Sequence, residues 1–224
     1  TRLRQEPQVR ALAEAHAPVF YAAGLHPLHV HEESPPTVET LVEIARHPKM
    51  VGIGETGLDY HYSVETRAVQ QESLRLHCEA ARRTGLPLII HSRDADDDMT
   101  RILTEEHAAG AFSCVMHCFS SSAELGRAML DLGFYLSMSG IATFRKSTEL
   151  REIFAAAPLD RILVETDSPY LSPEPVRKMR PNEPANVVWI ARFLADLHGQ
   201  EYETFESMLD GNAERFFGIT IPDN

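Results

Sequence analysis

The feature that most constrains this chain is an alternation. Short apolar runs at residues 19–25, 50–53, 86–90, 112–116, 134–138 and 161–164 are separated by longer stretches with apolar residues at helical spacing. Val38, Leu41, Val42 and Ala45 form one helical stripe, and Leu74, Cys78 and Ala81, closed by Gly85, form another. Further stripes run through Met99, Ile102 and Leu103, through Leu125, Met129 and Leu132, and through Leu150, Ile153, Phe154 and Ala157. Strands that alternate with helices predict a parallel sheet covered by helices. The units share a length but not a sequence, which excludes a solenoid. No charge run and no Pro/Gly/Ser-rich linker divides the chain, so the reading is a single domain over residues 1–224.

The strand count then matters. Six strands suffice for a doubly wound sheet, whereas a (β/α)8 barrel needs eight and typically about 250 residues. This chain has 224 residues, and residues 1–17 already read as a helix with Leu3, Val9, Leu12 and Ala13 inward. The expectation is an α/β fold, a (β/α)8 TIM-type barrel lacking its first one or two strands and so N-terminally incomplete.

Composition narrows the function classes. No apolar run reaches the roughly 18 residues of a membrane helix, and the opening residues carry no signal-peptide pattern. Three cysteines, an odd number without a C-x-x-C pair, fit a reducing cytoplasm better than a disulfide framework. A formal charge of −12 argues against a broad basic face for a polyanion. A nucleic-acid substrate would therefore need positive charge supplied locally, as metal ions supply it. No aromatic-plus-basic platform stands out along the linear sequence, so base readout is not expected.

Chemistry-bearing residues follow the apolar runs one after another. His26 follows the first, Glu55 the second, His91 the third and His117 the fourth, while the sixth leads into Glu165-Thr166-Asp167. A lone histidine there is most often a polar residue meeting solvent, and a lone carboxylate is most often a cap. Recurrence at successive strand ends points instead to a shared site, because barrel enzymes build their sites at that rim. Imidazole with carboxylate is the ligand set of zinc and borderline divalent metals. The other histidines (16, 29, 31, 47, 61, 77, 107, 198) read mostly as surface residues.

Some signals mislead. Gly52-x-Gly54-x-x-Gly57 matches a dinucleotide fingerprint, but a carboxylate sits inside it and no apolar helical stripe follows. His29-Val30-His31 sits in loop composition. Cys118, pointing opposite to His117 on a strand, reads with Cys114 as a small buried hydrophobe.

Several stretches together resemble the TatD-type metal-dependent deoxyribonucleases. They are Gly-Leu-His-Pro (24–27), Gly-Ile-Gly-Glu-Thr-Gly-Leu-Asp-Tyr (52–60), Pro-Leu-Ile-Ile-His-Ser-Arg-Asp-Ala (87–95), His-Cys-Phe-Ser (117–120), Leu-Val-Glu-Thr-Asp-Ser-Pro-Tyr-Leu (163–171) and Asn-Glu-Pro (182–184). The resemblance implies an amidohydrolase-like barrel with two divalent metal ions (Mg, Mn or Zn) and carries ligand roles onto Glu55, His91, His117 and Asp167. The family pattern opens with a strand ending Asp-x-His-x-His, whose histidines bind a metal. This sequence has no such segment, which leaves the second metal site short of ligands.

The activity implied is cleavage of DNA phosphodiesters from the 3′ end, on single-stranded or frayed ends, with little sequence preference. Asp167 and Glu55 are the expected catalytic residues, Asp167 orienting or deprotonating water. His26, Arg93, Asn182 and Glu183 are expected at the substrate, and Arg177, Lys178 and Arg180 form the densest basic cluster nearby. The rival reading keeps the metals but changes the substrate to a small amide, lactone or phosphoester. A third has no catalysis: a metal-poor barrel serving as a binding protein.

Overall fold

The computed structural model describes residues 2–221. The chain forms two compact units, one reaching as far as Met116 and the other starting at His117. Thr1, within the helical stretch expected at residues 1–17, and residues 222–224 lie outside the described residues.

The first unit is built from helix α1 (Glu6–Ala15), strand β1 (Tyr21–Ala23), helix α2 (Val38–Ile44), strand β2 (Met50–Asp59), helix α3 (Arg67–Thr84), strand β3 (Leu88–Arg93), helix α4 (Asp96–Ala109) and strand β4 (Cys114–Met116). Its strands pair in parallel, β1 with β2, β2 with β3 and β3 with β4. The expected stripe of α3 is its buried face, with Leu74 and Cys78 fully covered and Gly85 closing the helix in the left-handed conformation. Ile53, Leu88 and Ile90 on the strands are likewise fully buried, as are Met99, Ile102 and Leu103 on α4.

Helix α1 departs from expectation. Val9 is 40% exposed and Leu12 58% exposed, while Glu6 and Ala13, one ridge apart by seven residues, are buried. The Tyr21 hydroxyl donates to Glu6 Oε1 at 2.9 Å, so a polar contact holds part of this face. Lys49 then ties the end of α1 to the sheet. Its Nζ lies 2.6 Å from Ala13 O, 2.7 Å from His16 O and 3.0 Å from Ala17 O, so one ammonium gathers carbonyls from the last turn of α1 and the segment just after it.

The second unit contains helix α5 (Ala123–Asp131), strand β5 (Tyr135–Met138), helix α6 (Thr148–Ala156), strand β6 (Ile162–Val164), and helices α7 (Val187–Leu197) and α8 (Tyr202–Phe217). Strands β5 and β6 are parallel, with Leu136 opposite Ile162 and Met138 opposite Val164. Phe134, Phe154 and Phe205 fill its core. Asn212 on α8 is fully buried and donates to Leu159 O and Ile162 O, both at 2.8 Å, fixing the start of β6. No helix among the described residues is long and apolar enough to cross a membrane.

Candidate metal centres

In the first unit the apolar runs do not end where the sequence suggested. Strands β2 and β3 continue past Glu55 and His91 as far as Asp59 and Arg93, because Gly57, Leu58 and Asp59 pair with His91, Ser92 and Arg93. The register slips between Gly54 and Thr56, leaving Glu55 in a bulge. A bulge re-aims the side chain it carries, and here it turns Glu55 toward His91 and His26. The glycines of the 52–57 stretch serve this packing and lie on a strand, so the dinucleotide fingerprint has no helix N-terminus to work with. A Cβ on Gly57, which holds φ +143°, would collide with the His91 carbonyl. A Cβ on Gly24 would stand 2.6 Å from Gly54 Cα, so the chain leading to His26 packs directly on the bulge.

His26, Glu55 and His91 form one group whose potential ligand atoms lie within 4.8 Å of one another. His91 Nε2 meets Asp59 Oδ2 at 3.0 Å, and Asp59 is only 1% exposed. That carboxylate also accepts the Tyr62 N–H at 2.8 Å on Oδ1. With its Nε2 proton donated to Asp59, the neutral His91 ring turns the Nδ1 lone pair toward Glu55 Oε1, 3.3 Å away. Two acceptors at that distance call for a proton or a cation between them. Burial opposes charging of His91, but the hydrogen bonds and charges of Asp59 and Glu55 outweigh it and raise its pKa above the usual value. Burial likewise opposes ionisation of Asp59, and the bonds from His91 and the Tyr62 N–H, with the His91 and Arg93 charges, hold it below the usual range.

His26 behaves differently. Its Nδ1 accepts the Leu28 N–H at 3.1 Å, which places the proton of the neutral ring on Nε2. That N–H faces Glu55 Oε1 at 3.4 Å. In this arrangement His26 is a hydrogen-bond donor, whereas His91 is poised as a ligand.

The second unit repeats the device. His117, Glu165 and Asp167 form a group within the same 4.8 Å limit. His117 Nδ1 meets Glu165 Oε2 at 2.9 Å, and the Cys118 N–H reaches the same oxygen at 3.1 Å. The His117 Nε2 lone pair then faces Asp167 Oδ1 at 3.7 Å. Glu165 Oε1 is buried with no hydrogen bond. Leaving such an atom unsatisfied is costly, and a cation would satisfy it. Asp167 and Cys118 both hold positive φ, +54° and +45°, a conformation that persists where the surroundings over-determine it, often at functional sites.

The donors fit a divalent ion. Around a tetrahedral centre with bonds of about 2.0–2.1 Å, neighbouring ligand atoms stand about 3.3 Å apart. The Glu55–His91 spacing matches this, and the His117–Asp167 spacing is close to it. In each group a carboxylate holds the far nitrogen of the histidine, the arrangement that orients metal-binding imidazoles.

Comparison with known proteins gives the family. The family described as TatD related DNase matches residues 1–218. The chain belongs to this family. Its sequence is 43% identical over 201 residues to an uncharacterized metal-dependent hydrolase, YcfH, of Escherichia coli (strain K12), covering 90% of this chain and 74% of that protein. It is 34% identical over 227 residues to a protein of Klebsiella pneumoniae (strain 342) named 3′-5′ ssDNA/RNA exonuclease TatD, covering 99% of this chain and 85% of that one. Among solved structures, YJJV, a TatD homologue of Escherichia coli K12, superposes with a TM-score of 0.88 at 28% identity, over 97% of this chain and 84% of the other. This TatD-family chain is thus an α/β protein of the TIM-barrel kind and a metal-dependent hydrolase.

Among the TatD-type residues singled out from sequence, the structure brings Glu55, His91 and His26 together in the first unit and His117 with Asp167 in the second. Arg93 is exposed at the end of β3, its guanidinium over the Tyr62 ring at 4.8 Å. Asn182, expected at the substrate, is only 4% exposed and works as a clamp. It donates to Thr166 O at 3.0 Å and Tyr170 O at 2.6 Å, accepts from Asn186 at 2.9 Å, and so fixes the segment that carries Asp167. Glu183 stands exposed beside it. Arg177 packs on the Phe144 ring at 3.7 Å.

Two participants escaped the sequence reading, Asp59 and Glu165. Both lay inside quoted motifs, and their signal is their place a few residues from a presumed ligand. Cys118 was assigned by strand alternation, but it follows β4 rather than lying on it. Its backbone N–H serves Glu165 while its thiol meets Ser139 Oγ at 3.1 Å. His29 and His31 join neither metal group.

Proposed function

We propose that this chain hydrolyses phosphodiester bonds of DNA, working 3′ to 5′ on single-stranded or frayed ends with little sequence preference and with two divalent ions (Mg, Mn or Zn). The observation that carries the reading is the pair of carboxylate-held histidines, each turning a lone pair toward a second carboxylate. The name of the Klebsiella relative supports the substrate class. Glu55, His91, His117 and Asp167 are the proposed ligands. Divalent ions at these groups would supply positive charge for the phosphoryl oxygens and lower the pKa of water.

The chain's own residues do the rest. Asp59 and Glu165 keep each histidine in one tautomer and one orientation. Asp167 accepts a proton from the attacking water as general base. The His26 Nε2–H, already aimed at the site by the Leu28 bond, donates to a substrate oxygen. Arg93 contacts a neighbouring phosphate, and the exposed Glu183 contacts the substrate. Three free cysteines suit a reducing cytoplasm as the place of work.

The test is shortening of a labelled single-stranded oligonucleotide in Mg²⁺ or Mn²⁺. Asp167→Asn is expected to lower the rate at least about 100-fold, as loss of a general base does. The formal charge of −12 favours a second reading, hydrolysis of a small amide, lactone or phosphoester. An intact oligonucleotide together with turnover of such a substrate would select that reading.

A further inference from the structure

Tyr62 is 62% exposed, large and aromatic, in the loop that follows β2. An exposed tyrosine alone is ordinary. This one is built in. Its backbone N–H is held at 2.8 Å by Asp59, the carboxylate that also holds His91. Gln70, fully buried, fixes the same loop: its side chain accepts the Asp59 N–H at 2.8 Å and donates to Ser63 O at 2.8 Å. The Arg93 guanidinium lies over the ring at 4.8 Å, and His61 meets it edge-on at 4.6 Å. Among the described residues no carboxylate forms an ion pair with Arg93. The result is a supported aromatic surface beside a cation that forms no ion pair among the described residues, one carboxylate away from a proposed metal ligand.

We propose that Tyr62, supported by Arg93, is the stacking platform for a nucleobase of the single-stranded substrate, at the edge of the His26–Glu55–His91 group. This rests on the nuclease reading and specifies how that site takes its substrate. Stacking on an aromatic face with a cation nearby is how single strands are held without sequence preference, because every base presents a π-face. Tyr62 and Arg93 are far apart along the chain, so the platform forms only when β2 and β3 pair and place Asp59 opposite Arg93. That explains why no such platform stands out in the linear sequence.

The test uses metal-loaded full chain and two substrates, a short oligothymidylate and the same strand with abasic residues at its 3′ end. Removing the ring with Tyr62→Ala is expected to raise KM for the oligothymidylate about 10-fold, in line with one lost stacking contact. The expected change on the abasic-ended strand is less than about 2-fold, with kcat kept, and Tyr62→Phe is expected to match the wild type. An unchanged KM in Tyr62→Ala, or an equal rise on both strands, overturns the platform. Binding of both labelled strands is followed in parallel by fluorescence anisotropy. If the wild type fails to shorten either strand, the nuclease reading falls. The platform is then decided by whether Tyr62→Ala weakens binding of the base-bearing strand alone.

Discussion

His77 spends both ring nitrogens on backbone: Nδ1 donates to Ser73 O at 2.7 Å, and Nε2 accepts the Leu25 N–H at 3.0 Å. The ring is fully buried, and desolvation pushes its pKa down to about 4. The unfolded chain therefore binds a proton below about pH 6.5 that the folded chain refuses. The contribution of His77 is complete above pH 6.5 and is lost as pH falls toward 4, up to about 3 kcal/mol. At pH 5 the loss is about 2 kcal/mol. Urea denaturation at pH 7.5 and pH 5 is expected to show His77→Gln losing less stability on acidification than the wild type. Because Leu25 precedes His26, the same bond also anchors the approach to the site. From the sequence His77 read as one more surface histidine. A helical histidine gives no hint that its acceptor nitrogen is matched to a backbone N–H some fifty positions earlier in the chain. Glu165 was obscured in another way: Asp167 sat nearby as the more obvious ligand. Glu165→Gln keeps the size of the side chain but weakens its hold on His117. It is expected to lower metal affinity about 10–100-fold, measured by competition with a chelating dye.

At the scale of elements, the bulge in β2 is what makes a strand carry chemistry. Glu55 leaves the alternation there, and Gly57 lets the backbone of β3 come close enough to set His91 beside it. Gly57→Ala is expected to destabilise the fold by about 3 kcal/mol or more, since the collision is with backbone at a φ that other residues avoid. A urea midpoint shift with loss of metal binding would show it. Lys49→Met removes the cap shared by the end of α1 and the strand beyond it, at an expected cost of about 2 kcal/mol in the same assay. The six strands and helices α1 to α6 were legible in the sequence because period and composition mark them, and each of the six apolar runs overlaps a strand, whereas α7 and α8 were not read from it. Bulge and register were not, since both depend on which strand lies alongside. The inner face of α1 misled for a related reason. Val9 and Leu12 look like a core stripe, yet a short helix with one packed ridge buries Glu6 and Ala13.

At the scale of the whole molecule, an acidic chain of charge −12 can handle a polyanion only where cations are concentrated. Metal should therefore govern stability as well as activity. At about 100 times its dissociation constant a bound ion adds about 2.7 kcal/mol, which for a chain of this size corresponds to roughly 5–10 °C in Tm. Thermal unfolding after chelation and after restoring Mn²⁺ is expected to differ by that amount. The family and its metal chemistry were legible from a handful of strand-end residues, because ligand types cannot be varied freely. The carboxylates behind the histidines emerged only from distances. Direct metal titration by calorimetry, comparing the wild type with His91→Ala and His117→Ala at pH 7.5, tests the central claim. Each substitution is predicted to weaken binding of Mn²⁺ or Zn²⁺ at least about 10-fold while circular dichroism stays that of the folded chain. Wild-type affinity and stoichiometry in both variants would contradict it.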